Sequence, residues 1–266
     1  MPLGPFEREV LRLLATNRNP DSYVGGATVL HQTPDSPRSS EDIDLFHDEQ
    51  ESVEKAFATD VATLRQSDFV VEPVGHTHDT FRRALVRRAD QQTKIEWVYD
   101  SAFRFFPVER DPDLGWRLNF WDAATNKALA LVGRQVIRDY IDCLYLHEHH
   151  LHIGALSWAA AAKDPGLSAE MIIDWAARGN RFRPEDLVEV HLQKPFDLRE
   201  AKRKWLVALD EAREWIAKLP PADAGCLYLN AQGQPVCLNP DSPDFATLKR
   251  HFGSVKGAWP RIVDSS

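Results

Sequence analysis

Tyr23-Val24-Gly25-Gly26-Ala27-Thr28, a polar loop, and then Arg38-Ser39-Ser40-Glu41-Asp42-Ile43-Asp44-Leu45-Phe46 form the stretch on which the fold turns. Tyr23-Val24 begins a short strand that runs into the glycine pair. The proline-containing loop from Thr33 to Ser40 leads into a second strand, Asp42 to Phe46. Side chains at i and i+2 of a strand share a face, so Asp42 and Asp44 project together while Ile43 and Leu45 enter the core. Two carboxylates side by side repel unless a cation sits between them. A Mg²⁺ pair held this way is a common device for displacement at phosphorus. The glycine pair supplies the complementary part: without Cβ atoms, its backbone can approach a triphosphate and offer N–H donors. Either piece alone is usually a turn or a solvated strand edge. Their succession along the chain is what makes them specific.

The surroundings extend this reading. Phe6, Val10, Leu13 and Leu14 form one helical stripe over residues 5–15, and Glu51 to Arg65 is an amphipathic helix with Val53, Phe57, Val61 and Leu64 inward. Strands are expected at Phe69–Val74, Thr80–Arg88 and Thr93–Tyr99, the last with Ile95, Trp97 and Tyr99 on one face. After about residue 120 the pattern turns helical. Asp122 can cap a helix through Val132, Gly133 interrupts it, and further helices follow at 135–150, 153–163, 168–178 and 199–219. Cys226 to Leu229 and Val236 to Leu238, flanking turn residues, read as a hairpin. The expectation is an α+β protein. A small mixed sheet with flanking helices occupies residues 1–120, and a mainly helical domain with a C-terminal hairpin and tail occupies 121–266.

Composition bounds the class. The 266 residues carry 32 Lys+Arg against 40 Asp+Glu, a formal net charge of −8, which disfavours an indiscriminate polyanion binder. Three cysteines without a C-x-x-C spacing give no disulfide framework or structural zinc site, so a reducing cytoplasm is expected. No signal peptide is evident, and the longest apolar run, Ile153 to Ala162, is about half of what a bilayer requires, so no membrane partner is expected.

The strand–Gly-Gly–helix–loop–Asp-x-Asp order resembles the minimal nucleotidyltransferase fold of the DNA polymerase β-like superfamily. More narrowly, Arg38-Ser39-Ser40-Glu41-Asp42-Ile43-Asp44-Leu45 resembles the Arg-x-Ser-x-Asp-x-Asp block of the AbiEii/AbiGii toxin family. Asn126-Lys127-Ala128-Leu129-Ala130-Leu131 and Arg138-Asp139-Tyr140-Ile141-Asp142 resemble two later helices of that family, so the likeness covers roughly residues 20–150. It implies toxins of toxin–antitoxin or phage-defence systems, some of which add nucleotides to tRNA acceptor ends. Carried over, Asp42 and Asp44 hold two Mg²⁺ ions and Gly25 and Gly26 cradle the phosphates of an NTP. Lys127 neutralises or positions the triphosphate. Asp139, with Asp142 as neighbouring candidate beside Arg138, completes the acidic end, and Arg38 and Ser40 support the metal loop. Where the family usually has a hydroxyl residue after the glycines, this chain has Ala27, and Thr28 is the substitute. Polymerase-like relatives often add a third carboxylate on a later strand, for which Glu96 is the candidate; a plain Lys94–Glu96 surface pair is the competing reading.

Plainer structural roles compete for several of these residues. Arg134 or Arg138 could simply salt-bridge Asp139 and Asp142. In His147-Glu148-His149-His150-Leu151-His152 the zinc motif H-E-x-x-H fails at Leu151, so a polar helix end is expected. Basic residues cluster at Arg82–Lys94, Arg178–Lys204 and Lys249–Arg261, while Glu41 to Glu54 has acids and no base. That segregation would let an acidic protein meet RNA, or it marks ordinary solvated faces. Three functions follow. The first is an enzyme moving NMP from an NTP to an acceptor hydroxyl, tRNA foremost, with Glu96 or Asp139 as general base and a cognate antitoxin as partner. The second is the same chemistry on a small molecule or protein, and the third a non-catalytic nucleotide- or RNA-binding relative.

Overall fold

In the computed structural model, which describes residues 3–32, 35–40, 42–75 and 78–260, the aspartate strand is β2, Asp42–His47. Its burial alternates residue by residue, with Ile43, Leu45 and His47 fully buried and Asp42, Asp44 and Phe46 on the other face. Two helices cover the buried face. In α1, Pro5–Leu14, proline sits in the first turn, where its missing N–H costs nothing, and Phe6, Val10, Leu11 and Leu14 point inward. In α3, Gln50–Gln66, the inward stripe is Val53, Val61 and Leu64, as the spacing predicts. One charge joins that stripe, the fully buried Asp60.

The remaining strands of this region are β1 (Ser22–Val24), β3 (Val70–Pro73), β4 (Phe81–Arg88), β5 (Gln91–Tyr99), β6 (Phe103–Arg104), β7 (Glu109–Asp111) and β8 (Gly115–Arg117). All but β6 join β2 in a mixed sheet of order β3-β4-β5-β2-β1-β8-β7 among the described residues. Here β2 runs parallel to β5 and antiparallel to β1. The helix α2, Gly26–Leu30, connects β1 to the loop before β2. Val24, Ile43, Leu45, Ile95 and Trp97 meet α1 and α3 in one core. Phe57 packs edge-on to Trp97 at 5.0 Å between ring centroids. Burying a side chain of this size contributes roughly 1.5–3 kcal/mol, so the helix-covered face of the sheet is committed to the core.

The chain divides into two compact units, Met1–Ala102 with Pro107–Ala123, and Phe103–Phe106 with Ala124–Ser266. The division falls inside α4, Phe120–Arg134, and the second unit continues with α5 (Ile137–His149), α6 (Ile153–Ala160), α7 (Ala169–Ala176) and α8 (Leu198–Ala217). The cap of α4 differs from expectation: the Asn119 side chain accepts the Trp121 N–H at 2.9 Å, and Asp122 is buried. Gly133 does not interrupt the helix; Gln135, at φ +52°, follows its end. Within the second unit Tyr140 and Trp205 stack edge-to-face at 5.4 Å, and the indole N–H groups of Trp158, Trp205 and Trp215 all reach backbone carbonyls.

The expected hairpin is only half formed. In β9, Cys226–Leu229, the ladder partner is β10, Lys249–Phe252, while β11, Ser254–Val255, pairs with β6. The Val236 side contributes one bond to the Tyr228 carbonyl and a bridge at Pro235, which has no N–H to extend a ladder. No helix among the described residues is long and apolar enough to cross a membrane.

Candidate active site

Asp42 and Asp44 lie half-buried on the face of β2 turned away from the helices. The parallel register sets Lys94 beside Asp42 and Glu96 beside Asp44, and across the next ladder Arg83 lies opposite Glu96. Register neighbours point to the same side, so these five side chains form one charged patch. Lys94 Nζ stands 2.8 Å from Asp42 Oδ2 and 3.5 Å from Glu96 Oε1, and an Arg83 nitrogen reaches that same Glu96 oxygen at 2.8 Å. The plain Lys94–Glu96 pair therefore exists, but as the longer of two contacts. The shorter one, to Asp42, is not legible in the sequence. Its only trace there is that Lys94 and Glu96 repeat the i, i+2 spacing of Asp42 and Asp44.

Both glycines are demanded by close approach. Gly26 has φ +62°, and a methyl group there would collide with the Asp44 carboxylate. At Gly25 a methyl group would strike the Phe46 ring, and the Gly25 N–H donates to the Asp44 carbonyl at 3.0 Å. The strand entrance is braced by hydroxyls: Ser40 donates to the Asp42 carbonyl at 3.0 Å and the buried Thr28 donates to the same oxygen at 3.4 Å. Upstream, Ser36 donates to the Arg38 carbonyl at 2.9 Å, and the buried Arg38 guanidinium donates to the Ser39 carbonyl at 3.1 Å. Thr33, Pro34 and Glu41 of this segment lie outside the described residues.

In the second unit, Lys127 on α4 meets Asp139 and Asp142 on α5. Its Nζ is 2.9 Å from Asp139 Oδ1 and 3.1 Å from Asp142 Oδ2, with all three side chains nearly inaccessible. Arg134, largely exposed, holds Asp139 through two bonds of 3.1 and 2.9 Å. The plain Arg134–Asp139 salt bridge is thus present, and Lys127 is in the same cluster. Arg138 is half-buried on α5. Cys143 donates to the Lys127 carbonyl at 3.5 Å, and burial raises its thiol pKa well above the ordinary value.

A family model described as the nucleotidyl transferase AbiEii toxin of a type IV toxin–antitoxin system matches residues 12–223. The chain belongs to this family. It is a nucleotidyltransferase toxin, for which membership implies a nucleotide substrate and an antitoxin partner. Two solved structures share this chain's fold. A putative nucleotidyltransferase from H. pylori is 17% identical, with 82% of this chain and 99% of that one covered and a TM-score of 0.50. MenT4, a nucleotidyltransferase toxin of Mycobacterium tuberculosis, is 13% identical, with 80% and 85% covered and a TM-score of 0.50. JHP933 from Helicobacter pylori is 18% identical over 80% and 90%, with a TM-score of 0.49. No curated protein matches the sequence significantly.

The donor set of this site suits Mg²⁺. That ion takes one or two protein carboxylates and fills its octahedron with water and substrate phosphates, and Asp42 and Asp44 offer two carboxylates on one face. The missing Cβ of Gly26 leaves the room that the Asp44 carboxylate occupies. Among the described residues there is no group of three or more His, Cys, Asp or Glu that could hold a metal ion by itself.

In the histidine run the backbone takes a ring nitrogen of two of the four histidines. His147 Nδ1 accepts the Ile153 N–H at 3.3 Å and His152 Nδ1 accepts the Gly154 N–H at 3.0 Å. In a neutral ring this leaves the proton on Nε2, the atom a metal would need. The first basic cluster is also spoken for. Arg82 pairs with Glu54, Arg83 with Glu96, Arg87 with Glu72, Arg88 with Glu9 and Lys94 with Asp42. In the helical unit, Arg203 pairs with Glu200 and Lys204 with Glu148. Arg261 lies outside the described residues.

Proposed function

We propose that this toxin moves a nucleoside monophosphate from an NTP onto a hydroxyl of RNA, tRNA foremost, with Mg²⁺ held by Asp42 and Asp44. The observation that carries the reading is the pair of carboxylates on one strand face with the Gly26 backbone pressed against one of them. Bound there, the ions would supply charge stabilisation for the attacking and leaving oxygens. Asp42 and Asp44 would hold the ions that meet the triphosphate. The Cβ-free Gly25–Gly26 backbone gives it close approach, and Thr28, Ser40 and Arg38 fix the strand entrance from which Asp42 projects. As the bond from the acceptor oxygen to the α-phosphorus forms and the bond to pyrophosphate breaks, the hydroxyl proton passes to a carboxylate. Glu96, beside Asp44 in register, is the candidate base. From the family resemblance Lys127 is assigned a role in transfer, with Asp139 and Asp142 holding its ammonium in place.

Incubation of each radiolabelled NTP with total tRNA, the protein and Mg²⁺ tests this. Label in tRNA, abolished by Asp44→Asn without loss of folding, is the expected result. Label in another acceptor would reassign the substrate. No transfer in any combination, or an Asp44→Asn protein that is fully active, would overturn the assignment.

A further inference from the structure

Among the cations of the candidate site, one stands where a metal ion would compete with it. Lys94 Nζ lies 2.8 Å from Asp42 Oδ2, with the lysine and aspartate side chains 28% and 23% exposed. Strand pairing puts it there, since Asp42 and Lys94 are register partners in two parallel strands of one rigid sheet. Its second contact, Glu96 at 3.5 Å, is weaker, and that carboxylate is already taken by Arg83 at 2.8 Å. An ammonium displaced from Asp42 therefore keeps only a long, shared contact.

Building on the assignment of Asp42 as an ion ligand, we propose that Lys94 is a built-in counter-ion of Asp42 that divalent ions must displace, and that the freed ammonium passes to the triphosphate of the incoming nucleotide. Two consequences follow. Without nucleotide, the ion competes with a covalently tethered cation and binds weakly. With nucleotide, the triphosphate offers the displaced ammonium new oxygens, so ion and nucleotide each favour the other's binding by the same factor. Lys94 is then a positioning residue that couples loading of the two, and its chemistry suits this: a compact point charge on a flexible stem moves between partners more readily than a planar guanidinium.

Isothermal titration of the full chain with Mg²⁺, alone and with a non-hydrolysable NTP analogue, reads this directly and without turnover. The ion pair is partly solvated and worth on the order of 1 kcal/mol, so Lys94→Met should bind Mg²⁺ roughly fivefold more tightly than the unmodified protein without nucleotide. The analogue should tighten Mg²⁺ binding in the unmodified protein and much less in Lys94→Met, whereas Lys94→Arg should retain the weak ion binding. Asp42→Asn separates the two layers of the argument. If Mg²⁺ binding is absent, or is indifferent to Asp42→Asn, the ion-site assignment and the counter-ion role fall together. If binding needs Asp42 but Lys94→Met binds no more tightly, or keeps the full nucleotide effect, the counter-ion role alone is refuted.

Discussion

His47 ends the strand that Asp42 begins, on its core face, and offers a sharp test of how this sheet is stabilised. The ring is fully buried and neither nitrogen has a hydrogen-bond partner. Burial, and secondarily the nearby Arg18 guanidinium, lower its pKa to about 4. In the unfolded chain the same ring titrates near about 6.5. Between these values the unfolded state binds the proton and the folded state does not, so stability falls as the pH drops from 6.5 towards 4. Linkage over that shift gives a loss of about 2 kcal/mol between pH 7 and pH 5, and about 3 kcal/mol by pH 4. His47→Leu removes the titration and replaces unpaired polar atoms with apolar ones, so at pH 7 the variant should be as stable as the parent or more so. Urea unfolding of both proteins at pH 7 and pH 5, followed by tryptophan fluorescence, isolates the effect. Every other titrating group is shared, and the difference of differences should be about 2 kcal/mol. Parallel losses in the two proteins would refute the reasoning.

Two substitutions probe the candidate site. Gly26→Ala forces a left-handed backbone on a residue with a Cβ, at about 1–2 kcal/mol, and drives a methyl group into the Asp44 carboxylate. Nucleotide transfer should collapse, whereas Gly25→Ala, which strikes Phe46 instead, should lower the melting temperature and spare more of the transfer rate. Lys127→Met removes the cation shared by the buried Asp139 and Asp142, and urea unfolding should show a cost of about 3–5 kcal/mol. Adding Asp142→Asn should restore stability without restoring transfer; recovery of both would make Lys127 purely structural.

What the sequence made legible is what the backbone enforces locally. The alternation of Asp42, Ile43, Asp44 and Leu45 follows from strand geometry, and the full burial of Ile43 and Leu45 between half-buried aspartates obeys it. The helix containing Val53, Val61 and Leu64 follows from the helical period in the same way. Partners distant in the chain were out of reach, because they depend on which strands pair and in what register. Lys94 on Asp42 is one case. Asp60 is another: it sits in the inward stripe of an amphipathic helix, and nothing local announces that Arg18 will meet it with two bonds of 2.6 Å and Trp97 with one of 2.7 Å. A buried carboxylate is tolerated only with such donors, and they come from other elements of the sheet and loop. The cap of α4 failed for a related reason. Asn119 and Asp122 are both good capping residues, and Asn119 takes the position while its amide also reaches Glu109 at 2.8 Å.

Charge in this protein acts through neighbours more than through totals. The cations of the first basic cluster are tied to acids on adjacent strands and helices, so they offer little free field to a polyanion. On the candidate face, Asp42, Asp44 and Glu96 outnumber Lys94 and Arg83, leaving that face net negative. A triphosphate or RNA approaching it would be repelled. With Asp42 and Asp44 as ion ligands, a single divalent ion reverses the sign. The release of Lys94 from Asp42 would make one of the face's positive charges mobile at the moment the nucleotide arrives. An acidic chain can then act on anionic substrates without a permanent basic groove at its centre, because the positive charge is recruited with the nucleotide and need not be built into the resting fold.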